Sequence, residues 1–337
     1  MLKTDIIISA VKDFRKNPLI IAVLAICSVL IVIVFVFSLA QVVNISETLS
    51  VSSPECDYHI VLYLPDVKQT LFSDILEGAR QFCDENNIAL SVHTAGEEND
   101  SLFAAPYIGA DGIVIYSASE ARETAEILDT IISRSIPLVL IGHGIPTNNP
   151  YCSIGVNNFE LGRCIAEYAA SVEQSLRPAI VYSEKSPGMY LERELLEMGF
   201  SSGADEHLVQ PVITERTTLN SLDAEESVIR LLEEHPEVNM IFFTNSDDTL
   251  SAAKMMVDFN MVGRIHTIGF SGNGEISEYL EKGILDAVVV VDGYTQGYRA
   301  MQSVYDICRY GNTASFVNTG FEFVTNPEAL KTEKDGN

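Results

Sequence analysis

From Tyr58 onward the chain alternates short β-branched or aromatic runs with longer amphipathic stretches. YHIVLYL at Tyr58–Leu64 predicts a buried strand, Leu71–Asn86 a helix and Ile88–His93 a second strand. Strands follow at Asp111–Tyr116, Pro137–Ile141 and Ser153–Val156, with helices at Ser119–Arg134 and Phe159–Glu173. The second half repeats the rhythm, with strands at Pro178–Tyr182, Glu206–Val212, Met240–Phe243, Ile265–Phe270 and Asp286–Val291. Its helices are expected at Pro187–Met198, Leu222–Glu234, Asp247–Phe259, Gly274–Lys282 and Thr295–Arg309, before a last strand within Thr319–Val324. Apolar runs of strand length separated by 3.6-periodic helices imply right-handed βα units and mostly parallel sheets. So many strands exceed one small domain. The expected fold class is α/β, with two doubly wound lobes that bind ligand beyond the carboxyl ends of their strands.

The first forty residues follow a different pattern. Leu19–Leu39 holds 21 residues with no charge and only two serines. As a helix at about 1.5 Å per residue it would reach roughly 30 Å, the thickness of a bilayer's hydrocarbon core. Lys3, Lys12, Arg15 and Lys16 precede it, and no Lys or Arg follows until Lys68. The positive-inside rule then places residues 1–18 in the cytoplasm and everything after Gln41 outside. A cleavable signal has a shorter apolar region, although Ser38-Leu39-Ala40 fits a small-x-small cleavage site. A lipoprotein signal at Cys27 would place bulky Ile26 where a small residue is wanted. The expectation is a single-pass plasma-membrane anchor over 19–40, a cytoplasmic tail over 1–18 and a serine-rich stalk over 41–55. Cleavage after Ala40 stays open.

Charge separates the two regions further. The whole chain of 337 residues carries a formal net charge of −26. Beyond residue 16 there are 17 Lys and Arg against 45 Asp and Glu, a net of −28. Nucleic-acid binding is excluded as an expectation, because phosphate neutralisation needs a basic surface. With 47% hydrophobic residues the chain has ample material for packed cores, so disorder is excluded as well. Cys27 lies in the apolar segment, which leaves Cys56, Cys83, Cys152, Cys164 and Cys308 beyond it. No CxxC spacing occurs, so no metal or redox motif is expected, and spacing selects no disulfide among the five.

Several segments carry a resemblance to a known family. The opening Tyr58–Asp66 (YHIVLYLPD) with Phe72–Ala79 (FSDILEGA) resembles the first strand and helix of type I periplasmic solute-binding proteins. That family includes ribose- and galactose-binding members and is related to lac-repressor-type sensor domains. GADGIVI at Gly109–Ile115, IPLVL at Ile136–Leu140, GVNNFELG at Gly155–Gly162 and FFTNSD at Phe242–Asp247 continue the likeness. It ends with Ile268-Gly-Phe270, LEKGI at Leu280–Ile284 and Gly297-Tyr298, spanning about 270 residues in the family's order. The resemblance implies a periplasmic-binding-protein-like fold of two lobes joined by three crossover strands and closing on a small ligand. It assigns 56–155 plus 293–318 to one lobe and 156–292 plus 319–327 to the other, leaving 328–337 as a polar tail.

The same resemblance nominates Asp66, Phe72, Tyr116, His143, Arg193, Asn245, Ser271 and Asp292 as ligand-binding candidates. Sugar binders stack aromatics on pyranose faces and set charged pairs at the hydroxyls. Phe72 matches a stacking aromatic, but the neighbouring position is Leu71. Gly142-His143 replaces an Asp-Arg pair, Ser271 replaces an Asp, and Val291 with Asp292 stands where one polar residue is expected. Each candidate also has a purely structural role open to it. Phe72 can pack, His143 can shape its loop, Asn245 and Asp292 can cap helices, and Arg193 can lie on a solvated helix face.

Enzyme motifs fail on inspection. Gly269-Phe-Ser-Gly-Asn273 has Asn where a nucleophile elbow requires its last glycine, and neither HExxH nor a Walker A run occurs. The expected function is therefore a membrane-anchored, extracytoplasmic solute-binding protein for a small polar solute, a sugar or sugar-like compound. It needs no cofactor and no metal. Its partner would be an ABC-type permease, or a sensor histidine kinase to which the closed form is presented. A ligand-free interaction protein is the remaining class.

Overall fold

The structure is a computed structural model that describes residues 31–34, 56–65, 70–95, 100–117, 122–184, 186, 192–218, 223–271 and 274–326. Two six-stranded sheets organise residues 57–326. In the first, β1 (Tyr58–Pro65) lies between β2 (Ile88–Ala95) and β3 (Gly112–Tyr116), followed by β4 (Leu138–Ile141), β5 (Cys152–Gly155) and β11 (Phe316–Asn318). In the second, β6 (Pro178–Ser183) lies between β7 (Ile213–Thr217) and β8 (Met240–Phe243), followed by β9 (His266–Ser271), β10 (Ala287–Val290) and β12 (Glu322–Thr325). Every pairing is parallel except β10 with β12, where Val288 faces Val324.

Strand chemistry explains both layers. In β1, Leu62 is registered with Val92 on one side and Val114 on the other. Alternate residues of a strand point to opposite faces. Ile60 and Leu62 accordingly join one buried cluster, while Val61 and Tyr63 join another. The second sheet behaves alike: Ile180 and Tyr182 face one core, Ala179 and Val181 the other. Strands buried on both faces read as continuous apolar runs, which is why these were plain in the sequence.

The helices are α1 (Thr70–Glu85), α2 (Asp100–Phe103), α3 (Arg122–Ser133), α4 (Asn158–Val172) and α5 (Arg193–Ala204). After them come α6 (Asp223–Glu234), α7 (Ser246–Asp258), α8 (Gly274–Glu281) and α9 (Gly293–Tyr310). Each lobe contains a helix pair packed through glycine. A Cβ at Gly78 of α1 would lie 2.0 Å from the Tyr294 carbonyl oxygen, and one at Gly297 of α9 would lie 1.9 Å from that of Ile75. In the other lobe, Gly162 of α4 is equally close to Leu196 and Gly199 of α5 to Phe159, at 2.0 and 1.9 Å.

The chain passes between the sheets after β5, after β10 and between β11 and β12. The first and third crossings are tied together, because Thr319 donates both its N–H (3.0 Å) and its hydroxyl (3.2 Å) to the Gly155 carbonyl. Two lobes with three crossings agree with the fold class expected from sequence.

Some elements differ from expectation. The helix expected at Pro187–Met198 is met by α5 from Arg193 and continues past the expected end to Ala204, while 187–191 lie outside the described residues. The strand expected at Glu206–Val212 is replaced by a 3-10 turn over Asp205–His207. The real strand, β7, begins at Ile213 and is polar after that residue (ITERT), with half-buried and exposed positions alternating as far as Arg216, as befits a sheet edge. Gly199 and Gly203 lie beyond the expected helix end at Met198. They are interior residues whose missing side chains let α5 lie against α4. Strand β11 was not anticipated, being three residues long and largely exposed.

The expected anchor at Leu19–Leu39 lies outside the described residues except for Ile31–Val34, which are helical with exposed side chains. Among the described residues no helix is long and apolar enough to cross a membrane. The tail over 1–18 and the stalk over 41–55 lie outside the described residues.

Candidate functional site

Both sheets place their first strand between the second and third, the 2-1-3-4-5 order. Connections after the first and third strands then leave in opposite directions and open a crevice at their carboxyl ends. In one lobe this switch point lies between β1 and β3, in the other between β6 and β8. Phe72, Tyr116 and His143 lie near the first of these places and Asn245 at the second.

In the first lobe, Phe72 sits in the first turn of α1 and Tyr116 ends β3. Their rings meet edge to face with centroids 4.8 Å apart and planes at 82°. Phe72 is buried, so packing accounts for most of its surface, and burial pushes the Tyr116 phenol up to about 12. Beside them, Gly142 adopts φ +99°, a left-handed turn that glycine tolerates, and delivers His143 from the end of β4. His143 is only 3% exposed, and its Nε2 lies 3.0 Å from the Ser117 hydroxyl at the end of β3. Burial lowers the imidazole to about 4, so it is neutral at neutral pH and offers one donor and one acceptor.

In the second lobe, Asn245 follows β8 and is 2% exposed. Its Oδ1 accepts the N–H groups of Asp247 (2.9 Å) and Asp248 (3.4 Å), which makes it the N-cap of α7. Its Nδ2 donates to the Ser186 hydroxyl at 2.9 Å, joining the connections after β6 and β8. Both functional groups of the amide therefore already have partners. Below it, Thr244 donates to the Val181 carbonyl at 3.2 Å and accepts the Ser183 N–H at the same distance. Thr217 donates to the fully buried Asp248 carboxylate.

Asp292 begins the last helix as its N-cap, accepting the Thr295 N–H at 2.9 Å and the Thr295 hydroxyl. The next residue, Gly293, seats this helix against α1: a Cβ there would lie 2.8 Å from the Leu71 carbonyl and 3.0 Å from the Asp74 Cβ. The Asp74 carboxyl is consequently held above the usual carboxylate range, by burial first and then by the charges of Glu77 and Asp292. Asp74 is thus a neighbour of the candidate Asp292 that the sequence does not single out.

The remaining candidates are less informative. Arg193 is the first residue of α5 and half-buried. Ser271 ends β9 in register with Val290, and Asp66 lies outside the described residues.

A polar contact missed by the sequence reading crosses between the lobes. Glu192, just before α5, accepts the Gly144 N–H on Oε1 at 3.2 Å, and Gly144 lies in the loop leaving β4 of the other sheet. Its Oε2 accepts from Asn158 Nδ2 at 2.6 Å. Asn158 is 6% exposed, and its Oδ1 has no hydrogen-bond partner among the described residues. Asn157 caps α4, accepting from Phe159 and Glu160 at 3.1 and 3.2 Å, so the second residue of the pair is free for another role. The signal in the sequence is the doubled Asn after a strand; Glu192 falls inside the helix expected at Pro187–Met198 and carries no signal of its own.

Among the described residues no three His, Cys, Asp or Glu side chains are grouped to hold a metal ion. The five cysteines from Cys56 to Cys308 are free thiols, and burial raises that of Cys83 to about 12 and that of Cys308 to about 11.

Known proteins match this fold. The family model described as a periplasmic binding protein domain matches residues 60–313. A glucose-galactose binding protein from Geobacillus stearothermophilus superposes with a TM-score of 0.70 at 22% identity, covering 80% of this chain and 97% of its own. A carbohydrate transporter solute binding protein from Agrobacterium radiobacter, in complex with D-arabinose, gives 0.69 at 17% identity over 83% and 98% of the two chains. An ABC transporter periplasmic solute binding protein from Actinobacillus succinogenes with bound D-allose gives 0.67 at 16% identity over 82% and 100%. No curated protein matches the chain in sequence. With three quarters of its length matched, the chain belongs to the periplasmic binding protein domain family, whose members bind solutes rather than transform them.

Proposed function

We propose that this protein binds a small polar solute, a sugar or sugar-like compound, between its two lobes. The observation that carries the reading is a switch point in each lobe, with Phe72, Tyr116 and His143 near one and Asn245 and Ser186 at the other, and Glu192 reaching between the lobes. Sugar ligands in the structural relatives support the class of solute. An aromatic pair beside a neutral imidazole and an amide suits an uncharged polyhydroxylated ligand, which presents apolar faces and hydroxyl edges.

The apolar segment Leu19–Leu39 and the basic residues before it support anchoring in the plasma membrane with the binding lobes outside. Delivery of solute to an ABC-type permease is the first reading of what binding is for. Presentation of the closed form to a sensor histidine kinase is the second, favoured by an anchor that would hold the protein beside a membrane receptor. Adjacent genes for a permease and ATPase, or for a kinase and response regulator, separate the two.

The binding reading is tested by thermal-shift measurements on the full chain against D-glucose, D-galactose, D-arabinose, D-ribose, D-xylose and myo-inositol. A ligand at 100 times its Kd stabilises by about 2.7 kcal/mol, a visible shift. A screen widened to other monosaccharides and polyols that moved nothing would overturn the sugar reading.

A further inference from the structure

We infer that Glu192 is a closing latch: a positioning residue whose carboxylate holds one lobe against the other and so sets the population able to retain ligand. The inference rests on the lobe-closure reading above. Gly144 belongs to the first sheet, between β4 and β5, and Ile145 beside it is part of that lobe's core. Glu192 and Asn158 belong to the second lobe, and Leu196, one turn beyond Glu192, is buried in its core. A hydrogen bond of 3.2 Å between the two bodies exists only when they are approximated, since opening the crossings separates them.

Three features make Glu192 suited to the task. Its acceptor is charged, and carboxylate-to-amide bonds are stronger than neutral ones. Its other oxygen is fixed by Asn158 at 2.6 Å, so the carboxylate is preoriented toward Gly144. Asn158 is itself held at the start of α4, and α4 is locked to α5 by the glycine contacts at Gly162 and Gly199. The latch therefore acts between rigid elements. Because apparent affinity scales with the fraction of competent conformer, loss of a closed-state contact weakens binding without any change to groups that touch the solute.

The test is hydrogen exchange on the full chain, comparing wild type, E192A and E192Q, with D-glucose, D-galactose, D-arabinose, D-ribose, D-xylose and myo-inositol each added in parallel. In E192A, exchange should rise about tenfold at Gly144 and also at Thr319, whose N–H spans two crossings far along the chain from the substitution. Protection at Leu62 and Val181, central in each sheet, should be unchanged. E192Q keeps an oxygen for Gly144 and should stay within about threefold of wild type. Affinity for the sugar should fall about tenfold in E192A, chiefly through faster dissociation.

A rise confined to Gly144, with Thr319 and the affinity unchanged, would show a local bond and overturn the latch while leaving solute binding intact. If no sugar binds, the exchange comparison still decides the latch. Should E192A lose core protection too, E192S carries the same comparison with a smaller change in polarity.

Discussion

Phe72 and Tyr116 meet edge to face at 4.8 Å, joining the first turn of α1 to the end of β3 across the switch point of the first lobe. Aromatic pairs of this geometry contribute about 1 kcal/mol beyond their burial. Phe72→Leu retains apolar volume and should cost less than about 1.5 kcal/mol in urea unfolding. The same variant should weaken the best sugar at least tenfold if the ring faces solute. Equal affinity in the two proteins would confine Phe72 to packing.

His143 makes acid destabilising. Its imidazole ordinarily titrates near 6.5 and burial lowers it to about 4, so between those values the unfolded chain binds a proton that the folded chain refuses. Stability contributed by this group is present above the ordinary value and is lost as pH falls toward the folded one. Between pH 7 and pH 5 the loss should be about 2 kcal/mol. His143→Gln should flatten that part of the pH profile relative to wild type, as read from urea midpoints, and an unchanged slope would contradict the assignment.

His266 works in the opposite sense. Its Nδ1 lies 3.0 Å from Asp286 Oδ1, and that hydrogen bond raises its pKa. Stabilisation by the pair is fully present below the ordinary imidazole value and disappears as pH rises through the folded one. Asp286→Asn should lower the His266 titration midpoint in proton NMR and cost more stability at pH 5.5 than at pH 8.

Gly199 tests the packing of α5. Alanine normally favours a helix over glycine by about 1 kcal/mol. Here a Cβ would stand 1.9 Å from the Phe159 carbonyl, so Gly199→Ala should instead destabilise by about 2 kcal/mol or more. Gly274, with nothing within 4 Å of the added carbon, should tolerate the same change within about 0.5 kcal/mol. Thermal denaturation of both variants distinguishes steric from propensity effects.

Asn245 separates capping from contact. Serine also caps helices but is too short to keep the bond to Ser186, so Asn245→Ser should lose about 1 kcal/mol, and Asn245→Ala, which loses cap and bond together, about 2 kcal/mol. If Asn245→Ser loses sugar affinity while Ser186→Ala, which removes the same bond, keeps it, the amide acts on solute as well as on the helix.

Local sequence determined most of this architecture. The run from Tyr58 to Leu64 could only be a doubly buried strand, and similar runs at β3, β4 and β8 left little choice of period. Where an edge strand is mostly polar, as in β7, or where a helix runs on through glycines that serve contact, as at Gly199, the local pattern misled. The candidate site was legible as positions: Phe72, Tyr116 and Asn245 follow β1, β3 and β8, the strands that flank the two switch points, and His143 reaches the first of them through Ser117. Their chemistry was not. Only tertiary structure decided that Asn245 and Asp292 spend their side chains on caps, that burial keeps His143 neutral, and that Glu192 bonds an amide of the other lobe. Periodicity is a property of neighbouring residues, so sequence carries it. Partnership between residues 48 positions apart depends on how two sheets are brought together, and that is settled by packing.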